Sequence, residues 1–179
     1  MALPAPFEAL WSDMESVRAE LLKESEGLSQ AQANWRANDD EWSVGEILHH
    51  LVLAEVGTGK LVSKMLREAP QPIPPFPADL KGFTPLPPPP PGPARAPEVI
   101  YPERGHALET LIGDLRKTRE RSRQAVERLA VVDPRVFKWR HPAFGELDLA
   151  QWWLLHVRHE SDHLRQLRGV KAASGFPTS

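Results

Sequence analysis

Apolar positions recur at helical spacing in four stretches of the chain, and no convincing strand pattern lies between them. The first stretch carries Phe7, Leu10, Trp11, Met14, Val17 and Leu21, with Pro6 suited to a first helical turn. It predicts a helix that ends near Gly27. The second starts at Ser43, where Glu46 three residues on completes a capping box. It runs through Ile47, Leu51, Ala54, Leu61 and Met65 and stops before Pro70. The third holds Leu108, Leu111, Ile112, Leu115, Ala125, Val126 and Leu129 and stops before Pro134. The fourth follows Asp148, an N-cap with Gln151 three residues on, and runs through Trp152, Leu155, Leu164 and Leu167 to Gly169. Val99 to Tyr101 is too short for a strand and is flanked by proline.

Proline fills the gap between the second and third helices. Fourteen of the 19 prolines lie between Pro70 and Pro102. The run LPPPPPGPARAP is stiff and extended, close to ~3 Å per residue. It reads as a connection draped over the surface, with a docking ligand for a proline-reading domain as the functional alternative. The expected fold is all-α: one domain over residues 1–179, a four-helix bundle with a long proline-rich crossover, about residues 70–102, between helices two and three. The second helix would be roughly 38 Å long. The crossover can span that length, so the third helix need not run antiparallel to the second. Gly57 and Gly59 inside helix two mark a close helix approach or a kink.

Composition narrows the function. A chain of 179 residues suits one domain with a sizeable core. Net charge is −2, so no global field draws it to nucleic acid or an anionic membrane. Cysteine is absent, which excludes disulfides, zinc–thiolate sites and a thiol nucleophile of its own. The N-terminus lacks the features of a secretory signal, and no apolar run approaches the ~20 residues of a membrane span. The expectation is a cytoplasmic protein. The basic run RKTRERSRQAVER, Arg116 to Arg128, has no base-reading side chains beside it and reads as a solvated helix face.

Histidine is the candidate chemistry. HVRHESDH, His156 to His163, holds three of the chain's seven histidines. With Trp152 set at zero, His156, His159 and His163 fall within about 40° of it, on the stripe expected to face the core. On helix two, His50 falls about 60° from the apolar line, and His49 about 160° away beside Glu46, Lys60, Lys64 and Arg67. His159 and His163, four apart, can converge on one ion, and His50 would complete three ligands. A hydrogen-bonded histidine network and a wet surface groove are the alternatives. His156 is a candidate fourth ligand, but its seven-residue separation from His163 favours a place beside the site. Glu160 and Glu55 border their stripes as candidate catalytic bases or as partners fixing a ring tautomer, with plain helix-surface carboxylates as the alternative. His141 reads as a turn residue in HPAFG, and His106 has no evident partner. Ser161, Asp162 and His163 are adjacent and cannot face one another as a triad. Trp42 and Trp152 read as core packing, and Trp153 as the lining of a pocket or dimer seam.

Three segments together resemble the DinB-like superfamily of metal-binding four-helix bundles. NWRANDDEWSVGEILHHLVLAE, Asn34 to Glu55, resembles its tryptophan–serine helix start followed by a His-Leu dipeptide. HPAFGELDLAQWWLL, His141 to Leu155, resembles the turn before the last helix in one branch. HESDHLRQL, His159 to Leu167, resembles a His-x-x-x-His-x-x-Gln ending. The resemblance implies a ligand triad of His50, His159 and His163, a divalent ion (Ni, Zn, Fe or Mn), and an overhand connection between helices two and three. It implies a small-molecule substrate, with low-molecular-weight thiols such as bacillithiol or mycothiol among the candidates. It also implies a homodimer; that there is no nucleic acid or membrane partner is the expectation from net charge and hydropathy. The expected activity is a metal-dependent hydrolase or thiol S-transferase; the alternative is a non-catalytic metal-binding or dimerising bundle. A three-histidine ion keeps an open position for water or for a thiol, which here must come from outside the chain.

Overall fold

Each of the four long helices begins where the sequence supplies a proline or an extended capping residue. The computed structural model describes residues 2–89, 91–92 and 95–178, so part of LPPPPPGPARAP lies outside the described residues. Helix α1, Ala5–Ser25, has Pro6 in its first turn and buries Phe7, Leu10, Met14, Val17 and Leu21. A short α2, Gln30–Asn34, follows and was not expected; its Ser29–Gln32 capping box holds five residues in helix. Helix α3, Val44–Glu68, opens on the predicted Ser43–Glu46 box. Helix α4 spans Leu108–Leu129. Helix α5, Leu149–Ala172, opens on the Asp148–Gln151 box and continues past Gly169, where the expectation had ended it.

The expectation of no strands is corrected. Strands β1, Lys138–His141, and β2, Gly145–Asp148, form an antiparallel hairpin with Lys138 opposite Asp148 and His141 opposite Gly145. Gly145, at φ 73°, supplies the left-handed residue that closes its turn. The segment around Val99 is a single 3₁₀ turn, Glu98–Ile100.

Side-chain pairs fix the directions of the helices. Gly45 lies beside Leu111, Glu55 meets Arg119 and Ser63 meets Arg128, so α3 and α4 run parallel. Arg18 meets Glu160, and Glu24 meets Lys171, so α1 and α5 run parallel. His50 meets His159, and Thr58 meets His156, so α3 and α5 run antiparallel. A parallel α3–α4 pair needs a connection that returns the full length of the bundle, which is what the proline-rich segment provides. The Phe76 N–H donates to the Val131 carbonyl at 3.2 Å, and Phe76 and Phe83 pack on Phe7 with ring centroids 5.7 and 4.8 Å away. At the other end the crossover reaches α3, where Ile100 and Tyr101 meet His50 and Trp42.

The core has two apolar parts. One end gathers Val17, Leu21, Val44, Ile47, Leu48, Leu51, Leu111, Leu115, Leu164 and Leu167. The other gathers Phe7, Leu10, Met14, Val62, Val126, Leu129, Leu149 and Trp153. Trp153 is fully buried in that second part, so it lines neither a pocket nor a dimer seam. Of the two readings of Gly57 and Gly59, a kink or a close helix approach, the close approach is absent at both glycines; it occurs at Gly45, where a Cβ would sit 3.2 Å from the Ala33 carbonyl. Among the described residues, no helix is long and apolar enough to cross a membrane.

Candidate metal centre

Antiparallel packing of α3 on α5 brings His50 to face His159 and His163, which sit one turn apart on α5. The Nε2 atom of His159 lies 2.9 Å from Nε2 of His50 and 3.0 Å from Nε2 of His163. One ligand atom from each of the three rings lies within 4.8 Å of the others, so the cluster could hold a metal ion.

The proton count sharpens this. Nδ1 of His50 is 2.7 Å from the Ile100 carbonyl oxygen, and Nδ1 of His163 is 2.8 Å from Oε1 of Gln166. Both oxygens are acceptors, so both rings carry their proton on Nδ1 and turn an Nε2 lone pair inward. His159 can then donate at most one proton from Nε2, and one of the two short nitrogen contacts has none. Adding protons is disfavoured. Burial pushes His159 down to about 2, with His163 and His50 adding to the effect, and burial pushes His50 down to about 4. Burial also lowers His163. Three converging neutral imidazoles short of hydrogens suit a cation. Zinc–nitrogen bonds of about 2.0–2.1 Å in tetrahedral geometry set the nitrogens roughly 3.4 Å apart, a few tenths of an ångström beyond the present spacing.

Aromatic side chains wall the cluster. The Trp42 ring stacks on His163 at 5.9 Å and 16°, and lies 4.9 Å from His50. Tyr101, from the crossover, packs edge-on against Trp42 at 5.8 Å. The cap Ser43 fixes the start of α3, so Trp42 sits just outside the helix and folds back over its second turn.

A family model described as the DinB superfamily matches residues 13–167. The chain belongs to that superfamily. It is also 27% identical over 163 residues to the uncharacterized protein YuaE of Bacillus subtilis (strain 168), covering 89% of this chain and 96% of YuaE. The crystal structure of TT2238, a four-helix bundle protein, superposes with a TM-score of 0.61 at 20% identity, covering 90% of this chain and 97% of that one. That likeness supports the four-helix bundle fold.

Other predicted site residues fall elsewhere. His156 is buried and bonds through Nε2 to the Thr58 hydroxyl at 2.7 Å, apart from the three-ring cluster. Glu55 and Glu160 are neither surface carboxylates nor free bases. Both are held by Arg18 and Arg119, and all four side chains are 2–7% exposed. Burial would raise Glu55, but the charges of Arg18 and Arg119 outweigh it and hold it at about 2, too low for an effective base near neutral pH. Helix phase alone puts His49 in water beside Glu46. Instead it accepts the Glu103 N–H at 2.9 Å and packs on His106 at 4.2 Å, because the crossover covers that face. Glu46 is itself buried, with Arg36 and Arg104 at 3.3 and 3.4 Å. His141 caps its own turn, accepting the N–H groups of Ala143 and Phe144.

Arg18 and Arg119 were missed. Arg119 sits in the run read as a solvated face, although Arg123 and Glu127 there do pair at 3.0 Å near the surface. A signal existed: Arg18 is four residues after Met14, and Arg119 four after Leu115, so both continue an apolar stripe. Gln166, three after His163, was legible as its neighbour on the same face. The Ile100 carbonyl was not, because no side chain marks it.

Proposed function

We propose that the chain binds one divalent ion through Nε2 of His50, His159 and His163, and acts as a metal-dependent transferase of low-molecular-weight thiols, with hydrolysis as the other chemistry of the same site. The observation that carries this reading is the converging set of three Nε2 atoms, two of them fixed as lone pairs by Ile100 and Gln166. Such an ion would supply a Lewis-acidic position that lowers the pKa of a bound thiol or water. The chain's own groups orient the three rings, keep them neutral and wall the site with Trp42 and Tyr101.

Thiol chemistry is favoured over hydrolysis because no free carboxylate is seen at the rings. Among the described residues, no carboxylate hydrogen-bonds to the three rings, and Glu55 and Glu160 are committed to arginines. A thiol, with a pKa near ~8.5, needs less help losing its proton than water does. The chain has no cysteine, so that thiol is a cosubstrate. The reading includes a small electrophilic second substrate, a cytoplasmic location and a homodimer. The last two rest on composition and on the family resemblance respectively.

A non-catalytic metal site is the second reading. It is favoured by the Trp42 ring, which covers both His50 and His163. The test is turnover of electrophile panels with bacillithiol, mycothiol or glutathione by metal-loaded protein. Thiol-dependent turnover that disappears in His159→Ala supports the enzyme. Stoichiometric metal with no turnover of thiol, ester or amide panels supports the second reading.

A further inference from the structure

Between the two apolar parts of the core lies a closed ring of charge, with one residue from each long helix. Arg18 comes from α1, Glu55 from α3, Arg119 from α4 and Glu160 from α5. Nη2 of Arg18 reaches Oε2 of Glu55 at 2.7 Å, and its Nε reaches Oε1 of Glu160. Nε of Arg119 reaches Oε1 of Glu55 at 3.0 Å, and its Nη2 reaches Oε2 of Glu160 at 2.7 Å. Each carboxylate oxygen therefore has its own guanidinium nitrogen. The remaining guanidinium nitrogens also have partners: Nη1 of Arg18 goes to the Leu115 carbonyl at 2.7 Å, and Nη1 of Arg119 to the Met14 carbonyl, with the half-exposed Glu15 carboxylate 3.4 Å away. The four ring charges cancel, and every guanidinium nitrogen has a partner.

We infer that this ring is a positioning device that sets the rotation and register of α5 against α3, and so brings His159 and His163 to His50. The inference rests on the metal reading for its function, but its geometry stands apart from any ion. Leucine-lined stripes tolerate a small rotation or slide, because apolar contacts carry little direction. A ring of paired forks does not. Glu160 follows His159 directly on α5, about 100° and ~1.5 Å further along the helix, so holding one carboxylate fixes where the neighbouring imidazole points. Glu55 does the same for His50 on α3, five residues earlier. Buried ion sets contribute little net stability compared with apolar residues of the same volume, and fixing register is their best-attested use.

The test compares stability with site geometry. An apolar ring variant, Arg18→Met, Glu55→Leu, Arg119→Met and Glu160→Leu together, is measured beside Arg119→Lys, which keeps the charge but loses the fork that spans both glutamates. Three readouts are taken: thermal melting, zinc affinity, and imidazole ¹⁵N NMR of the metal-free protein, which reports the Nδ1–H tautomers of His50 and His163. The expected result is melting within a few degrees of the parent for the apolar variant, and a clear fall for Arg119→Lys, which leaves buried carboxylate oxygens without their donors. Zinc affinity falls at least about tenfold in each, and the tautomer signals are altered. Parent-like affinity and parent-like imidazole spectra in Arg119→Lys would overturn the inference. So would a large fall in melting temperature in the apolar variant, which would make the ring a stability element. If the parent binds no zinc, the metal reading fails alone, and the metal-free spectra still decide whether the ring positions the rings of His50, His159 and His163.

Discussion

The bundle buries two polar groups of opposite character. The arginine–glutamate ring is saturated: four carboxylate oxygens meet four guanidinium nitrogens, and backbone carbonyls take further N–H donors. The histidine cluster is unsaturated: three Nε2 atoms meet with at most one hydrogen among them. The ring draws on all four long helices and is buried throughout; the cluster lies on α3 and α5 alone, with His50 buried and His159 and His163 half-buried. The difference is that one set completes itself and the other needs something from solution. Burial of polar groups is therefore not the mark of a binding site here; an incomplete count of donors and acceptors is.

Acid separates the two groups most strongly. The folded pKa values of His50 and His159 lie near 4 and 2, both below the ~6.5 of an unfolded histidine. The unfolded chain takes up protons first, so metal-free protein loses stability as pH falls below about 6.5, on the order of 4 kcal/mol by pH 5 for the two together. Glu55 acts in a lower window. Its depressed pKa stabilises the fold above about 4.5, and that contribution is lost as pH falls toward 2. Urea melts from pH 8 to 4 would show the first loss; a flat profile down to pH 5 would remove the distinction.

Breaking the ring at one corner comes next. Glu55→Ala leaves two buried guanidinium groups short of a partner and should cost about 3–5 kcal/mol in denaturant unfolding. Supplying the histidine cluster has the opposite sign. A divalent ion at a hundredfold excess over its Kd should raise stability by about 2.7 kcal/mol, and His159→Ala or His163→Ala should abolish the shift in calorimetry. The smallest effect falls on the outer contacts. Gln166→Ala frees the His163 tautomer and should weaken metal affinity about tenfold, with little change in the metal-free melting temperature.

Much of this was legible in the sequence, for reasons specific to each element. The period of apolar residues placed four helices, and Ser43–Glu46 and Asp148–Gln151 marked two of their starts. The i, i+4 spacing of His159 and His163, with His50 on an inward phase, pointed to the residues the fold brings together. The rotation of α5 was read wrongly. Its buried residues centre on Trp153, His156, Glu160 and Leu167, roughly 70° from the Trp152 line, because two adjacent tryptophans leave the stripe ambiguous. Arginine is almost always a surface residue, so Arg18 and Arg119 carried no outward sign of burial; only their place on apolar stripes did. The hairpin escaped because KWRH is mostly exposed, and each four-residue strand carries a single clearly apolar residue, too few to show a period of two.

Elemental analysis of untagged protein, stripped with chelator and then exposed to zinc, nickel, iron(II) and manganese in turn, tests the central claim most directly. The account predicts about one tightly held ion per chain for at least one of these metals, and none in the His159→Ala variant. A parent protein that retains no ion under any of the four conditions, while remaining folded, would contradict it.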